Sequence, residues 1–326
     1  MNRNIERAAV AVVGAAAACL AVVVPAQAAP VDVVSHPLAD TASEGKLATG
    51  YWTAERMREA VELDQILLDT PQSGEVSRGA PSSVAATPAD DVAEGNAGVL
   101  ADSTGAPWEG DGAVVQTEGR VFFSFDGQDA SCSGNAVTSA NGSTVMTAGH
   151  CVKYQGSWHT NWVFVPGYHD GQAPHGEWPA TETLTTPQWE ASEDINYDVG
   201  AAVVQEVGGQ RLTDAVGGQG IAFNQARGQY MHAFGHPAAD PYDGEKLIYC
   251  AGTSFDDPLL STDHGLNCDM TGGSSGGPWF VEFDEAAGTG RQASVNSFGY
   301  VFLPGVMFGP YFGDEAQALY ETAQGS

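Results

Sequence analysis

His150 and Ser275 lie 125 residues apart, each in a turn of small residues: Thr147-Ala148-Gly149-His150-Cys151 and Gly273-Ser274-Ser275-Gly276-Gly277-Pro278. A serine hydroxyl is a weak nucleophile unless an imidazole lies within hydrogen-bond reach and backbone amides face the oxyanion formed by its attack. A fold that uses this pair must therefore join two distant turns, with the base preceding the nucleophile in the chain. That order excludes the α/β-hydrolase arrangement, in which the serine comes first. Glycine lets backbone amides approach a carbonyl without an intervening Cβ and tolerates positive φ, so the amides of Gly273 and Ser275 are the candidate oxyanion donors.

Short apolar runs at 114–117, 121–125, 136–138, 144–147, 162–165 and 201–204, punctuated by Gly, Asn and Asp, predict strands and an all-β domain. Several carboxylates lie between the two turns. In Asn196-Tyr197-Asp198-Val199-Gly200-Ala201-Ala202-Val203-Val204, Asp198 opens a run that reads as a buried strand. Its neighbours Glu190, Glu193 and Asp194 read as a solvated loop. Four cysteines remain beyond position 30: Cys132, Cys151, Cys250 and Cys268. In an exported chain they imply two disulfides, with three connectivities open. No Cys-x-x-Cys pair or histidine motif points to a metal site.

The two turns resemble the histidine and serine boxes of the chymotrypsin-like serine proteases, over roughly residues 111 to 320. The resemblance implies two six-stranded antiparallel β-barrels around one cleft, with His150 as general base, Asp198 as its orienting acid and Ser275 as nucleophile. It implies peptide-bond hydrolysis through an acyl-enzyme, on protein or peptide substrates, with no cofactor. Nearest-neighbour disulfides also come from the resemblance, Cys132 with Cys151 and Cys250 with Cys268. Ser297-Phe298-Gly299 resembles the family's strand that pairs with the substrate backbone and lines the specificity pocket. Asp269, six residues before Ser275, stands where trypsin-like members carry the carboxylate that selects Arg or Lys.

Two departures matter. Ser274 stands where animal trypsin-like enzymes have an aspartate that pairs with a newly freed N-terminus. Cys268, Gly272 and Gly273 are similar to the glutamyl-endopeptidase-like branch, yet that branch's histidine before the Ser-aromatic-Gly strand is Asn296 here. An esterase and a non-catalytic secreted binding module with the same fold are the competing expectations.

Residues 1–28 run from Arg3 and Arg7 through an apolar stretch to Ala26-Gln27-Ala28, the order of a secretory signal peptide. The apolar stretch is short for a stable membrane anchor. Residues 29–110 read as a partly helical pro-segment, a partner of the protease domain that the resemblance implies restrains it or helps it fold, with a helix predicted over 53–68 and a mobile Pro/Ser/Ala/Gly stretch over 71–107. Cleavage is expected between Leu100 and Ala113, leaving a protease domain of 111–326 closed by a short helix over 314–321. That domain carries 26 acidic against 6 basic residues within a chain of net charge −29. Such a surface disfavours nucleic acid and anionic membranes, favours cationic peptides and keeps a secreted, extracellular protein soluble. The resemblance implies a monomer.

Overall fold

The computed structural model describes Met1 and residues 32–63, 66–67, 76–89 and 102–326. The expected signal peptide, with Cys19, lies outside the described residues apart from Met1. Six strands close the first barrel in the order Trp178–Thr185, Thr160–Pro166, Glu118–Phe125, Gln128–Ala136, Thr144–Thr147 and Gly200–Val204, the last returning to Trp178–Thr185. Asp126 and Gly127, both at positive φ, form the tight hairpin turn between Phe125 and Gln128. This is the Asp-Gly chemistry that a two-residue turn matched to strand twist requires.

The second half builds its main sheet on Gly220–Phe223, Thr289–Val295, Pro278–Asp284, Tyr230–Gly235 and Ile248–Thr253, beside a three-stranded sheet of Phe255–Asp256, His264–Asn267 and Val306–Gly309. Helix Asp314–Gly325 buries Ala316, Leu319, Tyr320 and Ala323 against the first barrel's core. Cys132–Cys151 and Cys250–Cys268 are disulfides.

Three expectations fail locally. Residues 114–117 are helical, not extended: Thr117 Oγ1 donates to the Ala113 carbonyl at 3.0 Å, and Ala113 is held by its own amide bond to Ala287. The segment before 111 is also more ordered than its composition implies. Helix Ala54–Glu59 ends at Ala60 and gives way to strand Val61–Glu62, while a second helix, Ala42–Tyr51, precedes it. That helix starts with a capping box between Thr41 and Glu44, a signal present in the sequence.

Tertiary contacts hold this segment. Val34–Pro37 pairs with the edge of Trp178–Thr185. Trp52 and Met57 are buried among Phe122, Val163, Val165 and Tyr168, each contributing about 2–3 kcal/mol by burial. Trp52 Nε1 donates to the Asn161 carbonyl at 2.6 Å. In the stretch expected to be mobile, Ser82–Val84 pairs with Gly220–Phe223, and Ser103–Pro107 pairs with Ile248–Thr253. Both use sheet edges that the other described residues leave open.

Candidate active site

The three candidate residues come from both halves of the molecule. His150 lies in a 3-10 turn, Gly149–Cys151, directly after strand Thr144–Thr147. Cys151 is tied to Cys132 on the neighbouring strand, which fixes the turn. Asp198 follows another 3-10 turn, Ile195–Tyr197, and precedes strand Gly200–Val204, which pairs with Thr144–Thr147. That pairing sets the two side chains face to face.

His150 Nδ1 lies 2.7 Å from Asp198 Oδ2, and both side chains are fully buried. The His150 amide donates to Asp198 Oδ1 at 2.8 Å, and the Ser297 hydroxyl donates to Asp198 Oδ2 at 2.5 Å. Three converging donors hold the carboxylate in place. His150 Nε2 is buried and has no hydrogen-bond partner among the described residues. His159 supports the turn from behind: its Nε2 lies 2.8 Å from the His150 carbonyl and its ring stacks on Phe123. Burial pushes the His159 pKa down to about 3, so this imidazole is neutral. Its neutral form contributes stability above the unfolded value of about 6.5 that is lost progressively as pH falls toward 3.

Ser275 is brought to this site by the second half. Its carbonyl accepts from the Ser133 amide at 2.7 Å, on the same strand as Cys132. Gly276, at φ +82°, packs so closely that a Cβ would strike the Thr147 side chain and the Ser133 carbonyl. Asn296 braces the turn: its Nδ2 donates to the carbonyls of Phe234 and Ser274 at 2.8 and 3.0 Å, and its Oδ1 accepts from Trp279 Nε1 at 2.6 Å. Ser133 Oγ donates to the Gly273 carbonyl at 2.9 Å and accepts from the His236 amide at the same distance, which orients the Gly273 peptide. Among the described residues the amides of Gly273 and Ser275 donate to no protein acceptor. The Ser275 hydroxyl donates to the Leu63 carbonyl at 3.3 Å.

The remaining candidates are divided. Asp269 and Gly299 line a cavity of about 380 Å³ with Thr271, Tyr300 and Val301. The Asp269 carboxylate is exposed and accepts from the Tyr242 hydroxyl at 2.7 Å. Ser297 turns its hydroxyl onto Asp198 and away from that cavity. The Phe298 ring is buried against Phe308, and its amide and carbonyl both bond to Phe308. Asp194, read from sequence as part of a solvated loop, is 2% exposed and caps the turn before Asp198 by accepting from the Asn196 amide. Cys132, His150 and Cys151 bring three potential ligand atoms together, but the sulfurs are joined in a disulfide and offer no thiolates.

Sequence reasoning gave no sign of Asp263. It is fully buried, and neither carboxylate oxygen has a partner among the described residues. Burial first, then the charges of Asp198 and Asp257, hold its pKa well above the usual carboxylate range. The folded state therefore binds a proton that the unfolded chain releases above about pH 3.9, and stability falls as pH rises from there toward the folded pKa. Asp263→Asn, an isostere of the neutral acid, should raise Tm at pH 8 by about 3–8 °C, from about 1–3 kcal/mol. The gain should vanish at pH 4. Thermal melts at both pH values check this, and an equal shift at both would contradict it.

Known proteins now place the chain. It is 44% identical to the crystal structure of the protease Anisep from Arthrobacter nicotinovorans, with a TM-score of 0.62, over 66% of this chain and 98% of that one. The chain belongs to the chymotrypsin-like serine protease family. The thermostable serine protease AL20 from an extremophilic microorganism is 46% identical over 66% of this chain and 99% of that one, with a TM-score of 0.62. A Glu endopeptidase in complex with MPD shares the fold at 18% identity and a TM-score of 0.54, over 70% of this chain and all of that one. An extracellular metalloprotease of Bacillus subtilis (strain 168) is 39% identical over 62 residues, and the match spans about a fifth of each protein. No protein-family model matches the chain.

Proposed function

We propose that this protein is the precursor of a secreted serine endopeptidase. Its plan is a signal peptide over 1–28, a pro-segment over 29–110 and a protease domain over 111–326. The observation that carries the reading is the buried His150–Asp198 pair beside the Ser275 turn, with neither His150 Nε2 nor the amides of Gly273 and Ser275 engaged among the described residues. In this reading Ser275 attacks the scissile carbonyl while His150 Nε2 takes its proton. Asp198, held by Ser297 and the His150 amide, keeps the imidazole in the tautomer that accepts at Nε2. The amides of Gly273 and Ser275 receive the oxyanion, His150 returns the proton to the leaving amine, and water releases the acyl group.

The cavity beside Gly299 takes the side chain that precedes the scissile bond, with Asp269 favouring a cationic one. The acidic surface draws in cationic peptides and opposes binding to nucleic acid. Two disulfides and family membership support an extracellular setting. Among the described residues no helix is long and apolar enough to cross a membrane.

Fluorophosphonate treatment of the secreted protein, followed by peptide mapping, tests the assignment. Stoichiometric label on Ser275 is expected. A folded, disulfide-intact, processed protein that takes no label would refute it.

A further inference from the structure

In the serine-protease reading above, on which this inference rests, Gly273 supplies one of the two amides that receive the oxyanion. The turn that carries it, residues 271–278, has no charged side chain of its own. Its backbone is set instead by the residues that follow strand Tyr230–Gly235. The Ala238 amide donates to the Gly272 carbonyl at 2.7 Å, and a Cβ on Gly273 would strike the His236 carbonyl. The His236 amide also reaches the Gly273 carbonyl through Ser133 Oγ, in two hydrogen bonds of 2.9 Å each. The place of the Gly273 peptide therefore follows that of His236.

The side chain of His236 fixes it in turn. Its buried ring lies between two acceptors: Nε2 is 2.9 Å from the Tyr168 carbonyl, and Nδ1 is 3.0 and 3.3 Å from the two oxygens of the fully buried Glu118. A carbonyl can only accept, so Nε2 carries a hydrogen. Without a proton between Nδ1 and Glu118, a buried lone pair would face a buried carboxylate oxygen. The contact thus needs one further proton, carried by Nδ1 as an ion pair or by Glu118 as a neutral acid. Burial holds the Glu118 carboxyl above its ordinary range against the opposing charges of His236 and Arg120, which brings the two forms closer in energy.

We propose that His236 is a positioning residue for catalysis: clasped to Glu118 through one shared proton, it holds the Gly273 amide where the oxyanion forms. Other charged groups frame the pair. Arg120, two residues along the strand from Glu118, is buried and donates from Nη2 to Ser131 Oγ at 2.6 Å. Glu245 accepts from the Tyr168 hydroxyl at 2.9 Å. With Glu109, His169, Asp170 and Lys246 it lines a cavity of about 340 Å³ that touches both Glu118 and His236 and gives their proton a route of exchange. The shared proton is present below the pair's pKa and lost above it. A deprotonated pair is an uncompensated buried charge, which sets that pKa above the value of about 6.5 for a free imidazole. The clasp therefore opens on the alkaline side, whereas the acid-side limit is set by the need for a neutral His150.

The test is the second-order rate constant for fluorophosphonate labelling of Ser275 in processed protein, from about pH 6 to about pH 10. Phosphonylation draws on the same oxyanion donors and does not depend on which side chain the cavity prefers. Wild type should lose at least about fivefold in rate between its maximum and the alkaline end, while near-ultraviolet circular dichroism shows it folded. Glu118→Gln presents an amide N–H to Nδ1 and has no proton to lose, so its rate should stay within about twofold of its own maximum up to the same pH. His236→Phe keeps the volume but cuts both ring bonds, and should label at least about tenfold more slowly than wild type at the wild-type maximum. Glu118→Ala should show the same slowing if His236→Phe does not fold. A folded Glu118→Gln protein with the wild-type alkaline loss would overturn the inference and leave the enzyme reading standing. So would wild type without an alkaline loss, or a folded His236→Phe or Glu118→Ala protein that labels at the wild-type rate. Absence of label on Ser275 in wild type would overturn the inference together with the enzyme reading.

Discussion

Ser275→Ala should lower kcat on a peptide substrate by about a millionfold, the scale seen when a serine nucleophile is removed from a complete triad. The large effect follows from geometry. Removing Oγ leaves His150 and Asp198 intact but would give the imidazole no proton to accept, and the amides of Gly273 and Ser275, which have no acceptor among the described residues, would face a carbonyl that no nucleophile attacks. Folding should be spared, because the bonds that locate this residue run through its backbone, as in the Ser133 amide to the Ser275 carbonyl at 2.7 Å. The measurement is steady-state hydrolysis beside a thermal melt. Residual activity within a hundredfold of wild type, in a preparation free of wild-type enzyme, would mean that the nucleophile is elsewhere. Unchanged Tm with lost activity is the expected pair.

Asp198→Asn should lower kcat by about ten-thousandfold, the cost of holding an imidazole in the wrong tautomer. In the native site one carboxylate accepts from three groups: His150 Nδ1 at 2.7 Å, the His150 amide at 2.8 Å and the Ser297 hydroxyl at 2.5 Å. An asparagine has only one accepting oxygen. Its amide nitrogen must face either the His150 amide, donor against donor, or Nδ1, which then becomes the acceptor and moves the ring proton to Nε2. An imidazole protonated at Nε2 cannot take the proton of Ser275. Activity should recover partly at high pH as hydroxide replaces the base, whereas simple misfolding would not recover. A pH–rate profile separates the two outcomes.

Both predictions concern residues that were legible before any fold was known, for a local reason. The serine turn needs residues without Cβ where the backbone passes Thr147 and Ser133, so its glycines announce it. Asp198 was distinguishable because a buried strand begins next to it, and a carboxylate at such a boundary has to meet a partner. Helix Asp314–Gly325 was visible as Ala316, Leu319 and Tyr320 on one face.

Other features carry no such mark. Asp194 and Asp198 are both carboxylates in one short polar stretch, and their burial depends on packing from the second half of the chain. Asp263 is costly only because distant residues enclose it. Asn296 could be seen as a departure from a related branch, but its hydrogen bonds to Phe234, Ser274 and Trp279 exist only after three strands converge. Ser82–Val84 and Ser103–Pro107 look like linker because edge strands are held by backbone hydrogen bonds, which any polar composition can make.

The sequence by itself determined the candidates and the fold class: a histidine and a serine in turns of small residues, four cysteines for two bridges, and short punctuated strands for an all-β fold. Tertiary structure alone decided which sheet edges remain open and which carboxylates are enclosed. Side-chain identity encodes local conformation and reactivity, whereas an open edge or an enclosed carboxylate is a relation between segments far apart in the chain.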